Sequence, residues 1–460
     1  MAGGEDIYKD PASAAMTRLL VKLVLDALNE TCYQADIAGL RSSLVCDDHR
    51  IQLRLDGFNE KLPRLLERIV KAHRLAPVRE AMVRAYKNAN MKPGAQATYT
   101  RQLALRADII CLEDQLPTLQ ACTLEELQAF LPLMLREVHM EVLAHGNMER
   151  HEAEQAAGAL NTILSRHMEQ ELPAKARPSD VIVRLAEDEA KSADCTVVGR
   201  AKNPKEQNSA VESYFQLMPH SVKERATVEL LEQVMEEACY DTLRTKEQLG
   251  YTVSCGLRLT GGVLGFCINV VSASYGPEHI ISRIEAFLES FRQRLQAMTE
   301  EEYEQQRVAL IGVKLAKDKC LMDESDRHWE NIWNSRYDFY TRERTVQHVQ
   351  LISKAELIAF YGRHVAPGAE CRRRLNVCIY GQQHEMPGAT EVRVVSRLLL
   401  YDQRAAHDLF TIQQWVRECY TAHVKAGAVT ASAHRYSHGR HFMERGEDTT
   451  DDPGSDLADL

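Results

Sequence analysis

Apolar residues recur at a spacing of three and four in two long stretches. Leu19, Leu20, Leu23, Val24, Ala27 and Leu28 form one; Leu230, Leu231, Val234, Met235 and Ala238 form the other. That period gathers apolar side chains on one face of a helix. Each stretch runs into a similar tetrapeptide, Glu30-Thr31-Cys32-Tyr33 and Glu237-Ala238-Cys239-Tyr240, and then into a glycine-containing stop, Ala38-Gly39-Leu40 and Leu249-Gly250-Tyr251. An extended segment and another amphipathic helix come next in both, the helices spanning Leu62–His73 and His279–Leu295. Further on, Thr123 with Glu126 and Ser353 with Glu356 have the spacing of capping boxes that open helices. Each of those helices leads to an alternating segment that ends at a glycine, Val138–Gly146 and Leu375–Gly381. So many features in one order indicate an internal duplication.

The pattern therefore predicts an α+β fold of two homologous α/β units, each a mainly antiparallel sheet flanked by helices. Residues 1–185 form the first unit and 186–400 the second. Pro173 and Pro178, with the polar stretch Gly199–Pro204, break the helical pattern at the junction. Val181–Leu185 and Thr196–Val198 read as short strands there. Nothing before the first long helix corresponds to the strand at Ala210–Gln216. The first unit is thus expected to be truncated at its start, or completed by a strand from another polypeptide. Residues 401–460 match neither unit, and their acidic end, Arg445 to Asp456, has too few apolar residues to fold.

The most informative run is Leu243-Arg244-Thr245-Lys246-Glu247-Gln248-Leu249-Gly250-Tyr251, where a helix gives way to a strand. Gly250 is placed to take a positive φ and end the helix. From Tyr251 the chain alternates, with Tyr251, Val253, Cys255, Leu257 and Leu259 on one face. Thr260-Gly261-Gly262 reads as a hairpin turn, and Val263–Val271 as the return strand with Leu264, Phe266, Ile268 and Val270 on one face. A guanidinium and a phenol beside such a hairpin suit an extended peptide, since both donate hydrogen bonds to carbonyl oxygens. The residues equally allow Arg244 to pair with Glu247 and Tyr251 to lie in the core.

Composition narrows the function classes. With 460 residues, 45% hydrophobic and 27% charged, the chain is an ordinary globular protein. Its 66 acids against 56 bases argue against a nucleic-acid binder working through overall charge. Twelve cysteines with no Cys-x-x-Cys pair give neither a disulfide framework nor a zinc ribbon. No apolar run is long enough to span a bilayer. The start carries no secretory pattern, the end no peroxisomal or reticular address. A reducing, cytoplasmic setting is the expectation.

Metal and nucleophile motifs are equally sparse. Neither His-x-x-Glu-His nor His-Glu-x-x-His occurs; the nearest run, His151-Glu152, meets Gln155 where a second ligand belongs. An extended 138–146 would place His139, Glu141 and His145 on one face, where they could present three metal ligands, but the matching strand Leu375–Gly381 carries no such set and same-face neighbours sit about 7 Å apart. His434, His438 and His441, with His423 nearby, read as a histidine-rich surface tail. No phosphate-binding glycine loop, Gly-x-Ser-x-Gly elbow or cysteine nucleophile is present. Arg372-Arg373-Arg374 reads as a solvated turn.

The run Leu243–Tyr251, the preceding Glu237–Asp241 and the hairpin Gly262–Phe266 resemble the insulin-degrading enzyme and nardilysin group of pitrilysin-type zinc metallopeptidases. So do Asp26–Glu30 with Ala38-Gly39-Leu40, Asp56-Gly57-Phe58-Asn59, His145-Gly146-Asn147 and Thr299-Glu300-Glu301, over roughly residues 15–385. The resemblance implies four homologous α/β domains in two bowl-shaped halves that close over a peptide-cleaving chamber. This chain resembles the second half, its third and fourth domains. Arg244 and Tyr251 then match the arginine and tyrosine that hold the substrate backbone and stabilise its oxyanion. Zinc is expected in the other, catalytic half and none in this chain, which alone should be inactive and hold no catalytic residue. The implied partners are peptides and a catalytic N-terminal half, from the same gene or a separate chain, with no nucleic acid and no membrane. The alternative is an inactive peptide-binding or scaffold protein.

Overall fold

The computed structural model describes residues 2–3, 7–8, 10–47, 50–57, 75–106, 109–173, 182–185 and 193–387. The helix expected at Leu62–His73 and the residues of the tail, His423, His434, His438 and His441 among them, lie outside these.

Helix α1 (Pro11–Ile37) opens with Asp10 accepting the Ser13 N–H at 2.7 Å and with proline in its first turn. It buries Leu19, Leu23 and Leu28 and stops before Gly39, whose φ is 77°. Strands β2 (Arg41–Cys46) and β3 (Ile51–Asp56) pair antiparallel beyond it. Four helices follow: α2 (Leu75–Lys87), α3 (Pro93–Leu105), α4 (Leu112–Ala121) and α5 (Leu124–Arg136). Thr123 and Glu126 form the expected capping box of α5. Strand β4 (Glu137–His139), helix α6 (Arg150–Leu164) and strand β5 (Gln170–Glu171) complete this part, with β4 lying between β1 (Ala2–Gly3) and β5.

The alternating segment 138–146 is not a strand along its length. Its neighbours β1 and β5 each offer two paired residues, so the ladder ends at His139. Alternation permits a strand, but only a partner of equal length can extend it.

The rest is built on one five-stranded sheet, order β6-β10-β7-β9-β8. Its strands are β6 (Ala193–Arg200), β7 (Ser209–Pro219), β8 (Thr252–Thr260), β9 (Val263–Ser272) and β10 (Arg373–Tyr380). All neighbours are antiparallel except β6 and β10. Of the two junction strands expected, Thr196–Val198 lies within β6, whereas 182–185 makes a single bridge, Ile182 to Arg106. Helices α7 (Val222–Cys239), α8 (Pro277–Ala297), α9 (Glu300–Leu315), α10 (Leu321–Trp333), α11 (Thr341–Leu351) and α12 (Lys354–His364) surround it. Ser353 and Glu356 cap α12 as expected.

Period two divides the sheet into two faces. On one, Phe215, Val253, Cys255, Leu264, Phe266, Ile268 and Val270 pack with Leu230, Leu231 and Met235 of α7 and Ile280, Ile284 and Phe287 of α8. On the other, Tyr214, Cys267, Leu375, Val377 and Ile379 meet Ala97 and Leu105 of α3. Each large apolar side chain so buried stabilises the fold by about 1.5–3 kcal/mol. The α+β class and the flanking helices agree with the sequence reading. The eleven described cysteines are free thiols, seven of them buried. No described helix is long and apolar enough to cross a membrane.

Arg101 of α3 enters this second face. Its Nε donates to Glu212 Oε1 at 2.9 Å, its Nη1 to Thr260 Oγ1 at 3.2 Å, and its guanidinium lies 5.3 Å from the centre of the Tyr214 ring. The arginine run 372–374 is also not a solvated turn. Arg372 donates to Glu285 Oε1 at 2.6 Å, Arg374 pairs with both Asp194 and Glu285, and Arg373 donates to Leu217 O at 3.4 Å. A basic run looks solvated until acids from a helix and a neighbouring strand converge on it.

Removing one member of a fully buried ion pair strands the other. Arg101→Ala is therefore expected to lower the unfolding free energy by about 3–5 kcal/mol in a urea titration. Arg84→Ala, which removes the exposed pair with Glu80, should change it by less than about 1 kcal/mol. Equal effects would contradict the assigned role of Arg101.

Candidate functional site

The end of α7 does not stop cleanly. Tyr240–Lys246 continues it as a wider π-helical turn, in which the Glu247 N–H reaches Thr242 O at 3.0 Å. Such widened turns insert one residue and redirect the side chains that follow, often at functional sites. Leu243 is fully buried and anchors the turn, and the Leu249 N–H closes it on Leu243 O at 2.9 Å.

The left-handed residue that reverses the chain here is Gln248, at φ 49°, and not Gly250. Gly250 is needed for a different reason: a Cβ at this position would overlap the carbonyl of Val271 on β9. The glycine lets the chain lie directly against the hairpin, and the turn is closed one step earlier. The hairpin turn itself is as expected, with Gly261 at φ 49° and Gly262 at 77°.

Arg244 and Tyr251 come together where the widened turn meets β8. The guanidinium carbon of Arg244 lies 5.3 Å from the Tyr240 ring centre and 5.4 Å from that of Tyr251. Its Nε donates to the Tyr251 carbonyl at 3.3 Å. Tyr251 is 86% exposed and Tyr240 47%. Tyr251 thus precedes the strand and stands clear of the core, while Val253 and Cys255 turn inward as expected. The pairing of Arg244 with Glu247 is not made. Glu247 instead accepts two hydrogen bonds from Arg283, both at 2.8 Å, and Asp241 takes Lys246 at 2.7 Å. Among the described residues no carboxylate neutralises Arg244. A cation held over two aromatic faces is attracted by both, and its remaining N–H groups stay available to a carbonyl or carboxylate.

Strand β8 is an edge of the sheet. Thr252 and Ser254 are exposed at its start. Further along, α7 covers it: the Glu232 carboxylate lies where a Cβ on Gly256 would be and accepts a backbone hydrogen bond from Leu257, and burial raises its pKa. The open stretch of edge is therefore the one beside Tyr251.

Tyr240 was not singled out from the sequence, although its place four residues before Arg244 on one helix was legible. The histidines weighed as ligands do not converge as a strand would have placed them. His139 lies 3.2 Å from Glu171 and 3.5 Å from Glu141, whereas His145 bonds to Ser325. His151 sits on α6, which buries no residue, and pairs with Glu149.

Residues 4–117 match the family profile of the middle or third domain of peptidase M16. Residues 230–329 match that of the fourth domain in the C-terminal lobe of PQQ synthase PqqF-like proteins. The chain is 33% identical over 385 residues to a nardilysin-like protein of Arabidopsis thaliana, and 30% identical over 386 residues to human insulin-degrading enzyme. The chain belongs to the M16 peptidase family. The alignments take in 81% and 82% of this M16 chain but 37% of each relative, so it spans well under half their length. The two profiles, third domain before fourth, agree with the C-terminal half of an insulin-degrading enzyme or nardilysin-like protein.

Solved structures share the fold. The crystal structure of pitrilysin superposes with a TM-score of 0.69 at 20% identity, over 83% of this chain and 40% of that one. One described as a peptidase M16 inactive domain from Pseudomonas fluorescens superposes at 0.58 and 14% identity, over 84% of this chain and 92% of that one.

The two backbone positions should respond in opposite directions. Gly250→Ala must push the turn off Val271 and is expected to cost about 1–3 kcal/mol. Gln248→Gly relieves a left-handed side chain and should be neutral or stabilising by up to about 1 kcal/mol. Thermal unfolding of both variants is the check; the reverse order would place the chain reversal at Gly250.

Proposed function

We propose that this chain is the non-catalytic C-terminal half of an M16-type zinc metalloendopeptidase and forms a substrate-holding wall of its closed chamber. The observation that carries this reading is Arg244, stacked between two exposed tyrosine rings and unpaired with any described carboxylate, at the open end of an edge strand. An extended peptide beside Thr252 and Ser254 would set a carbonyl within reach of the Arg244 N–H groups and the Tyr251 hydroxyl. Donors already fixed in place need no reorganisation when negative charge grows on that oxygen. Tyr240 keeps the guanidinium plane from turning away.

The zinc of this family does not fit the residues of this chain. The inverted His-x-x-Glu-His helix that would supply two ligands and the general base is absent from the 460 residues. The reading therefore assigns hydrolysis to a catalytic half, and to this chain the gripping of peptide substrate. A cytoplasmic setting suits its free, largely buried thiols.

The test has two parts. The purified chain with added zinc should leave a fluorogenic peptide uncut, and chelator-sensitive cleavage should appear with an M16 catalytic half. Fluorescence anisotropy should show the chain alone binding a labelled extended peptide. Arg244→Ala should weaken that binding about tenfold to a hundredfold, the worth of one or two charge-assisted hydrogen bonds, and Tyr251→Phe by less. Robust cleavage by the chain alone would overturn the assignment. So would peptide affinity indifferent to both substitutions.

A further inference from the structure

Glu324 and His328 stand one turn apart on α10, and so share a side of the helix. The loop after β4 brings His145 to them from 180 residues away in sequence. His145 Nε2 lies 3.8 Å from Glu324 Oε2, and His328 Nε2 lies 3.8 Å from Glu324 Oε1. The two imidazoles meet edge to face, 5.4 Å between centres. One donor atom from each of the three residues falls within 4.8 Å of the others.

The hydrogen bonds decide which nitrogen of His145 points inward. Ser325 Oγ donates its single proton to Leu321 O at 2.8 Å, so toward His145 Nδ1, also at 2.8 Å, it acts as acceptor. Nδ1 therefore carries a proton, which leaves Nε2, on the carboxylate side, as the ring nitrogen able to bind an ion. Two ring nitrogens and a carboxylate then converge at separations too long for hydrogen bonds. Such a set repels itself unless a cation or a proton joins it. Arg327 stands 3.7 Å from Glu324 but is engaged chiefly by Asp318, at 2.9 and 3.1 Å.

We propose that His145, Glu324 and His328 form a site for one zinc-class divalent ion that fastens the first unit of the chain to the second. Two imidazoles and a carboxylate favour zinc over magnesium or calcium, which prefer oxygen ligands. Bonds of about 2.0–2.1 Å in a tetrahedral shell separate ligand atoms by roughly 3.4 Å, so small side-chain rotations close the set. The side chains are 25%, 42% and 22% exposed, which leaves water room for the fourth position. Ser325 is the outer partner that fixes the tautomer of a ligating histidine.

The surroundings hold the parts in register. Arg54 pairs with Asp326, Arg50 donates to Ser335 Oγ at 3.3 Å and lies over Trp333, and Tyr337 bonds to Glu141. These contacts hold the β2–β3 hairpin and the His145 loop against α10 and the residues just after it. The ligand order, a distant histidine followed by Glu-x-x-x-His, is not the hydrolytic motif of the family, and the role inferred is a structural clasp.

The experiment is isothermal titration of zinc into the chelator-treated full chain, followed by cobalt absorption spectroscopy. Expected are one tight site, a four-coordinate cobalt spectrum and a rise in Tm with zinc. Glu324→Gln and His145→Ala should weaken the site at least tenfold and abolish the Tm rise. Ser325→Ala, which leaves every ligand in place, should weaken it about tenfold to a hundredfold. A variant with His434, His438 and His441 all changed to Ala should keep the tight site. Wild type and ligand variants binding zinc alike would overturn the proposal. So would loss of the tight site in the variant of the tail histidines, or the absence of any stoichiometric binding.

Discussion

The buried pair between Arg101 and Glu212 is the constraint on which much of this architecture rests. Both groups are almost wholly removed from water, and neither is tolerable there without the other. The guanidinium belongs to α3, and the carboxylate to the middle of the five-stranded sheet. The pair obliges a helix from the earlier part of the chain to serve as the second cover of a sheet made by the later part. Thr260, at the far end of β8, takes a second N–H of the same guanidinium. The hairpin that carries the candidate site is thus pinned at its turn by a residue 159 positions upstream.

The other end of that hairpin is governed by close backbone approach instead of charge. Gly250 lies against Val271, and the widened turn before it delivers Arg244 and Tyr251 to the same place. Of the two acids three residues away, Glu247 is drawn off by Arg283 of α8 and Asp241 by Lys246. Four elements, α7, its π turn, β8 and α8, cooperate to leave one guanidinium without a counter-charge among the described residues. A cation set so beside exposed aromatic rings is difficult to explain as packing.

Local chemistry was legible in the sequence. The capping boxes at Thr123 and Ser353, the two-glycine hairpin turn, the faces of β8 and β9 and the long amphipathic helices all depend on neighbours within a few residues. The pair Arg244 and Tyr251 was legible through the resemblance, while the residues alone left a buried tyrosine and a local ion pair open. What failed depended on distant partners. A glycine can be required by its own φ or by someone else's carbonyl, and Gly250 illustrates the second. The segment 138–146 had a strand's alternation but neighbours only two residues long. The arginines at 372–374 looked solvated because Asp194 and Glu285, far away in sequence, were invisible to a local reading. The contacts of His145 with Ser325, Glu324 and His328, some 180 residues on, are out of reach of a local reading for the same reason.

A planar cation wedged between two phenol faces has lost most of the freedom that usually lets arginine chase whatever anion is near. It presents its protons in one plane and at one height, and the acceptors that suit it are those every polypeptide carries in its main chain. Residue type along a ligand would matter little to such a fixture; the path of the main chain would matter a great deal. If the chain holds peptides as proposed, molecules that can lie straight and flat past the ring would be retained, and those already committed to a helix or a compact globule would be turned away.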